Sequence, residues 1–167
     1  MGRIAIFSDP HKKVDFQKMA LQRAIAKDIQ YILHLGDLEI EDNLKLLKET
    51  NLPYRAVFGN NDYYLYPLSK DYYIFKEPYY LKIENKTFKL MHLPLYLTPD
   101  SDFILYGHTH KFKLEKINNS IFLNPGEICA REAPYISFAI IDLNRNIIEH
   151  HFYSLEKKSW EEETFLV

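Results

Sequence analysis

Asp9, His11, Asp37, Asn60, His92, His108 and His110 stand in five short blocks of a 167-residue chain. Imidazole, carboxylate and amide oxygen are together the donors of a mixed site for divalent cations. Two such cations roughly 3.5 to 4 Å apart need an anionic bridge, and Asp37 can provide one. A pair so held lowers the pKa of a shared water, supplies hydroxide at neutral pH and neutralises a phosphoryl group under in-line attack. These residue types therefore predict hydrolysis of a phosphate ester by a metal-bridging hydroxide, with no covalent enzyme intermediate.

The blocks need elements to bring them together. Apolar runs at residues 4–7, 31–35 and 56–58 end in Ser8-Asp9-Pro10-His11, Gly36-Asp37 and Gly59-Asn60-Asn61-Asp62. Short apolar runs closed by polar or glycine-bearing turns read as strands. The ligands thus cluster at strand C-termini, where open α/β sheets form their ligand crevice. Apolar spacing through Phe16, Met19, Ala20 and Ala24 predicts a helix over 16–27, and Leu44, Leu46 and Leu47 predict another over 38–49. Strand alternating with helix means a parallel α/β half. From residue 72 onward the pattern changes to β candidates at 79–83, 88–92, 103–106, 112–117, 120–123, 135–142 and 147–153. Asn85-Lys86, Asn118-Asn119 and Asn144-Arg145-Asn146 supply turns between them. With no repeat or linker between the halves, residues 1–167 read as a single α/β domain with the site where the loops of both halves meet.

Composition narrows the function classes. A net charge of -2 gives no general pull toward nucleic acid, which enters only as a candidate substrate. Cys129 is the single cysteine, so no intramolecular disulfide forms. No apolar run reaches membrane-span length, and residues 1–7 lead into a strand rather than a signal-peptide core. The expected setting is the cytosol, with no membrane partner.

The blocks Asp9-Pro10-His11, Gly36-Asp37, Gly59-Asn60-Asn61-Asp62, His92 and Gly107-His108-Thr109-His110 occur in the order of the motif series of the calcineurin-like metallophosphoesterases. The chain resembles their small phosphodiesterase branch, the YfcE type, over nearly its whole length. Asn124-Pro125-Gly126-Glu127 is similar to the Asn-Pro-Gly turn of those members. The resemblance implies a four-layer α/β/β/α sandwich, a metal-dependent phosphoesterase and, more narrowly, a phosphodiesterase acting on a phosphate-ester substrate. It implies one metal on Asp9, His11 and His110, a second on Asn60, His92 and His108, and Asp37 between them. Manganese is the usual cation of such a site, and zinc, iron or nickel suit the same donors. Some proteins of this fold bind other proteins instead, with a degraded ligand set. A non-catalytic metal-binding scaffold is therefore the alternative function, set against a chain in which all seven positions are filled.

Two departures carry consequences. Many relatives place His after the ligand Asn, where this chain has Asn61. An amide can orient a phosphate oxygen but cannot give the leaving group a proton, so esters with good leaving groups are favoured. After His92 stands Leu93-Pro94 where Gly-His is usual, and the segment from there to Gly107 shows little helical pattern. A helix or cap usual in the family is expected to be missing there.

Other residues read more plainly. His34, on a strand one residue before Leu35, is expected to pack or to support a ligand rather than to be one. His150 and His151 read as structural or exposed, and Cys129 as a small packed residue. Tyr63 and Tyr64 follow a ligand loop and are candidates to wall the crevice or, equally, to form a surface interface. Residues 156–167 read as a solvated end whose Trp160 and Phe165 pack on the body or on a second copy of the chain.

Overall fold

The computed structural model describes residues 2–167. β1 (Arg3–Phe7), α1 (Val14–Ile25), β2 (Tyr31–His34), α2 (Glu41–Glu49) and β3 (Tyr54–Val57) alternate as the sequence predicts. A 3₁₀ turn (Tyr63–Leu68) and the two-residue β4 (Ile74–Phe75) follow. The remainder is β: β5 (Tyr79–Ile83), β6 (Lys86–Leu90), β7 (Phe103–Leu105), β8 (Phe112–Ile117), β9 (Ser120–Pro125), β10 (Tyr135–Asp142), β11 (Ile147–Ser154) and β12 (Ser159–Leu166). They form two mixed sheets, ordered β12-β11-β10-β1-β2-β3-β4 and β5-β6-β7-β9-β8.

The alternation of side chains across a strand explains how the sheets stack. Ala5 and Phe7 of β1 face outward onto the helices, joined by Ile136, Phe138 and Ile140 of β10 and by Ala20, Ala24, Leu44 and Leu47 of α1 and α2. Ile4 and Ile6 face the other way, where they meet Phe88, Leu90, Phe103, Leu105 and Leu123 of the smaller sheet. With both faces covered, β1 and β10 read as continuous apolar runs rather than alternating ones. Each fully buried Ile or Phe contributes about 1.5–3 kcal/mol.

The fourth layer lacks a helix among the described residues, as the weak helical pattern there predicts. Residues 91–102 cross the outer face of the smaller sheet with no helix or strand. Met91, Ile104, Tyr106 and Phe122 form a small apolar cluster on this side. Lys89 is buried beside it, its ammonium 3.1 Å from the Asp100 carboxylate and donating to Thr98 Oγ1 at 2.9 Å.

The C-terminal end departs from its expected form. Residues 159–166 are not a loose solvated tail but an eight-residue strand, paired antiparallel with β11 from Ile147↔Leu166 to Ser154↔Ser159. Charge density masked it, because Glu161, Glu162 and Glu163 lie along an edge where both faces can hold polar side chains. Trp160 does pack on the body, edge-on to Phe138 with ring centroids 5.6 Å apart.

Candidate metal centre

Every block of predicted ligands leaves a strand or a loop between strands, and the loops are tied to one another by backbone hydrogen bonds. Asp9 N donates to Gly36 O at 3.1 Å, His11 N to Asp37 O at 2.9 Å, and Gly107 N to His92 O at 3.1 Å. Asp62 is the anchor of the group. Its carboxylate accepts from Asp37 N, Glu39 N and Gly59 N at 2.7–2.8 Å. Burial nevertheless outweighs those donors and pushes the Asp62 carboxyl up to about 6.

The glycines of the motifs are steric requirements. Gly36 has φ +96°, and a Cβ on it would lie 2.6 Å from Gly59 N. A Cβ on Gly59 would lie 2.1 Å from Asp37 Oδ1. Five of the seven predicted ligands, Asp9, His11, Asp37, His108 and His110, themselves adopt φ between 50° and 68°. Non-glycine residues seldom take that conformation, and such strain persists only where surrounding structure enforces it.

The side chains converge. Asp9, Asp37 and His92 form one group whose donor atoms all lie within 4.8 Å of one another, and His11, His110 and Cys129 form a second. His92 Nε2 is 3.3 Å from Asp37 Oδ2 and 3.9 Å from Asp9 Oδ1. His110 Nε2 is 3.3 Å from Asp9 Oδ1 and 3.3 Å from His11 Nε2. His11 Nε2 is 3.8 Å from both aspartates. His108 stands beside them, its ring edge-on to His92 at 5.3 Å and its backbone N–H donating to Asp9 Oδ2 at 3.0 Å. Asn60 is exposed, on the same loop as Asn61.

Hydrogen bonding fixes which nitrogen each imidazole offers. His92 Nδ1 donates to Leu35 O at 2.7 Å, His11 Nδ1 to Glu39 Oε2 at 3.1 Å, and His110 Nδ1 to Glu127 Oε2 at 2.5 Å. Each ring is thereby left with its Nε2 lone pair turned toward the aspartates, the arrangement in which an outer carboxylate or carbonyl orients a metal-binding histidine. Asp9 Oδ1 and His92 Nε2 are buried and have no hydrogen-bond partner. Buried polar atoms left without partners are costly, and a cation between them removes that cost. The donor set fits divalent metal.

The electrostatics agree. Burial alone would raise the Asp37 carboxyl, but His92 and the Asn61 donors overcome it and hold Asp37 far below the usual carboxylate range. Burial works against a charged His92, yet Asp37 and Asp9 raise it to about 9. Asp9, and with it Cys129 and Glu127, raises His110 to about 12. In each case the anions demand positive charge at the spot where the lone pairs meet.

Three contributors escape a reading of the sequence alone. Glu127 is 2% exposed. It accepts from Glu132 N and Ala133 N on one oxygen, while the other meets His110 and, at 3.2 Å, Cys129 Sγ. Cys129 is buried as expected, but against the centre rather than away from it. Glu77 receives the backbone N–H groups of His92 and Leu93 and so secures the segment where Leu93-Pro94 departs from the family pattern. None of these is visible as spacing, because each is a contact between loops distant in sequence.

The remaining expectations fall as follows. Asn61 donates from Nδ2 to Asp37 Oδ2 at 3.0 Å and from its backbone to Oδ1 at 3.1 Å. His34 is fully buried, meeting Gln17 Oε1 with Nε2 at 2.8 Å and accepting from Gly36 N, which makes it a packing residue. His151 is buried against Glu149 and Phe138. Tyr63 and Tyr64 are 58% and 72% exposed with ring centroids 4.2 Å apart, on the turn after the ligand loop.

The chain is similar to known proteins. The profile of the Calcineurin-like phosphoesterase superfamily domain matches residues 3–146. Phosphodiesterase MJ0936 of Methanocaldococcus jannaschii is 23% identical over 157 residues, 86% of this chain and 94% of its own. Vps29 of Entamoeba histolytica in complex with zinc superposes with a TM-score of 0.72 at 22% identity, covering 98% of each chain. YfcE, a phosphoesterase from E. coli, does so with a TM-score of 0.74 at 20% identity, covering 96% of this chain and 98% of its own. The match over residues 3–146, on a fold shared almost end to end, shows that the chain belongs to the calcineurin-like phosphoesterase superfamily.

Proposed function

We propose that this protein is a metal-dependent phosphodiesterase with a dinuclear centre. The observation that carries the reading is the shared orientation of His11, His92 and His110, whose Nδ1 atoms face outer oxygens while their Nε2 atoms face Asp9 and Asp37. Asp9, His11 and His110 would hold one divalent cation, Asn60, His92 and His108 a second, and Asp37 would touch both. When bound, such a pair supplies a nucleophile from water at neutral pH and neutralises charge on the phosphoryl oxygens.

The chain's own residues set the rest. Asn61 uses one amide hydrogen on Asp37, which leaves the other for a phosphate oxygen. It brings no positive charge and no transferable proton. A monoester dianion therefore gains less here than a diester monoanion, and leaving groups that need no protonation are preferred. Phosphodiesterase MJ0936 supports the same preference by similarity.

The test is hydrolysis of bis-p-nitrophenyl phosphate and p-nitrophenyl phosphate by metal-stripped protein with manganese restored, beside Asp37→Ala. Zinc, iron and nickel are the cations to compare. Expected are turnover that requires metal, a higher rate on the diester, and loss of at least about a hundredfold in the variant. Tight binding of two metals without turnover on any ester would favour the scaffold reading, and failure to bind metal would overturn both.

A further inference from the structure

A cavity of about 630 Å³ lies between the loop that follows β1 and the loop that precedes β10. Lys12 and Lys13 line it from the first loop and Arg131 from the second, and the buried His11 and Cys129 belong to the same wall. Hydrogen bonds hold both loops in place. Cys129 N donates to Asp9 O at 3.1 Å, His11 N to Asp37 O at 2.9 Å, and Asn43 Nδ2 to His11 O at 2.7 Å. The space is thus formed before any ligand arrives, as most small-molecule sites are.

The charges around it do not balance. Arg3, Arg23, Lys27 and Lys89 each have a carboxylate oxygen within 3.1 Å. Among the described residues, Lys12, Lys13 and Arg131 have none within 4.0 Å. The one acidic side chain in the described wall, Glu39, already accepts from His11 Nδ1 at 3.1 Å. Three cations against one carboxylate leave an excess of two positive charges around a single space. A cleft lined by one sign of charge concentrates ions of the other, and such an ion relieves the repulsion of its wall. Phe16, Ala130 and Leu155 add an apolar stretch, with Lys13 Nζ 5.8 Å from the centre of the Phe16 ring. The wall therefore matches a ligand with two negative charges on one group and a nonpolar body.

We propose that this cavity binds a phosphomonoester, its phosphoryl group held by Lys12, Lys13 and Arg131 and its carbon body lying against Phe16 and Leu155. A phosphomonoester carries close to two negative charges at neutral pH on three strong acceptor oxygens. The planar Arg131 guanidinium can meet two of those oxygens as a fork, while the lysines act as point charges. A carboxylate or a phosphodiester brings a single charge and leaves the wall in excess. The site needs no access to Asp9 and Asp37, and it stands whether or not the metal centre turns over an ester.

Phenyl phosphate tests the cavity apart from the metals. It is titrated into the whole, metal-stripped protein with chelator present, at about pH 7.5 where the ester is a dianion, and followed by amide NMR shifts. The shifts should concentrate at Lys12, Lys13, Ala130 and Arg131. Methyl phenyl phosphate keeps the ring with one charge fewer, and inorganic phosphate keeps the charge without the ring. Each should bind at least about tenfold more weakly than phenyl phosphate. Lys12 and Arg131 are exposed, so the double variant Lys12→Met with Arg131→Met keeps the aliphatic stems without disturbing the core. It should lower affinity for phenyl phosphate at least about tenfold, whereas Lys12→Arg should retain it. Unaltered affinity in the double variant, no binding at millimolar concentration, or shifts confined to other loops would overturn the site. Equal affinity for inorganic phosphate would overturn the assignment of an organic ester, and equal affinity for methyl phenyl phosphate the assignment of a dianion.

Discussion

Glu127 shows how much a single side chain outside the ligand set can govern. It fixes the His110 ring by its Nδ1–H and is itself fixed by two backbone donors. Glu127→Ala should weaken metal binding by roughly 10- to 100-fold in calorimetric titration, while Glu127→Gln, which still accepts from Nδ1–H, should recover most of the loss. Equal affinities for all three proteins would remove Glu127 from the centre. His34 makes a prediction about pH. Burial depresses its pKa from 6.5 to about 3, so between those values the unfolded chain binds a proton that the folded chain refuses. Stability should therefore fall as pH drops through this window. Urea unfolding at pH 7 and pH 5 should show a smaller difference in His34→Gln than in the unaltered protein. The convergence of Asp9, His11, Asp37, His92 and His110 was legible from the sequence, because they sit in short runs that resemble one motif series. Glu127 and Cys129 were not, because what makes them part of the site is the approach of the loop after β9 to the loop after β7.

The elements were legible where pattern and length agree. β8 and β10 have the predicted bounds, and the strand, helix, strand, helix, strand run of the first half is as read. β4 has only two residues and exists through pairing with β3, which no local pattern announces. β12 was hidden by its glutamates. Its place in the sheet predicts that Trp160→Ala, which removes the ring on Phe138, will cost about 2–4 kcal/mol in denaturant unfolding. The turns are less forgiving than the strands. Gly59→Ala puts a methyl group 2.1 Å from the Asp37 carboxylate, so either the loop or the carboxylate must move. Metal affinity and stability should both drop, the latter by at least about 2 kcal/mol. A variant with wild-type values in both assays would contradict the close approach of β2 and β3 loops at this point.

At the scale of the molecule, metal and fold should be linked. The centre draws on loops from both sheets, so a cation that binds it binds the folded chain and not the unfolded one. Thermal midpoints should rise with manganese concentration in the way mass action requires, and chelator should return them to the metal-free value. A midpoint indifferent to metal would mean that the ligand groups do not act together. The same architecture has a consequence for synthesis. β1 is made well before β10, yet it lies inside the larger sheet between β2 and β10, with Arg3 opposite Asp142. On the ribosome its second edge stays open until β10 has emerged. An unfinished polypeptide therefore holds Asp9 and His11 on a strand that has not found its permanent neighbour. The ligand-bearing loops should come together late and all at once, and fragments ending before β10 should offer an open edge to one another instead of an assembled centre.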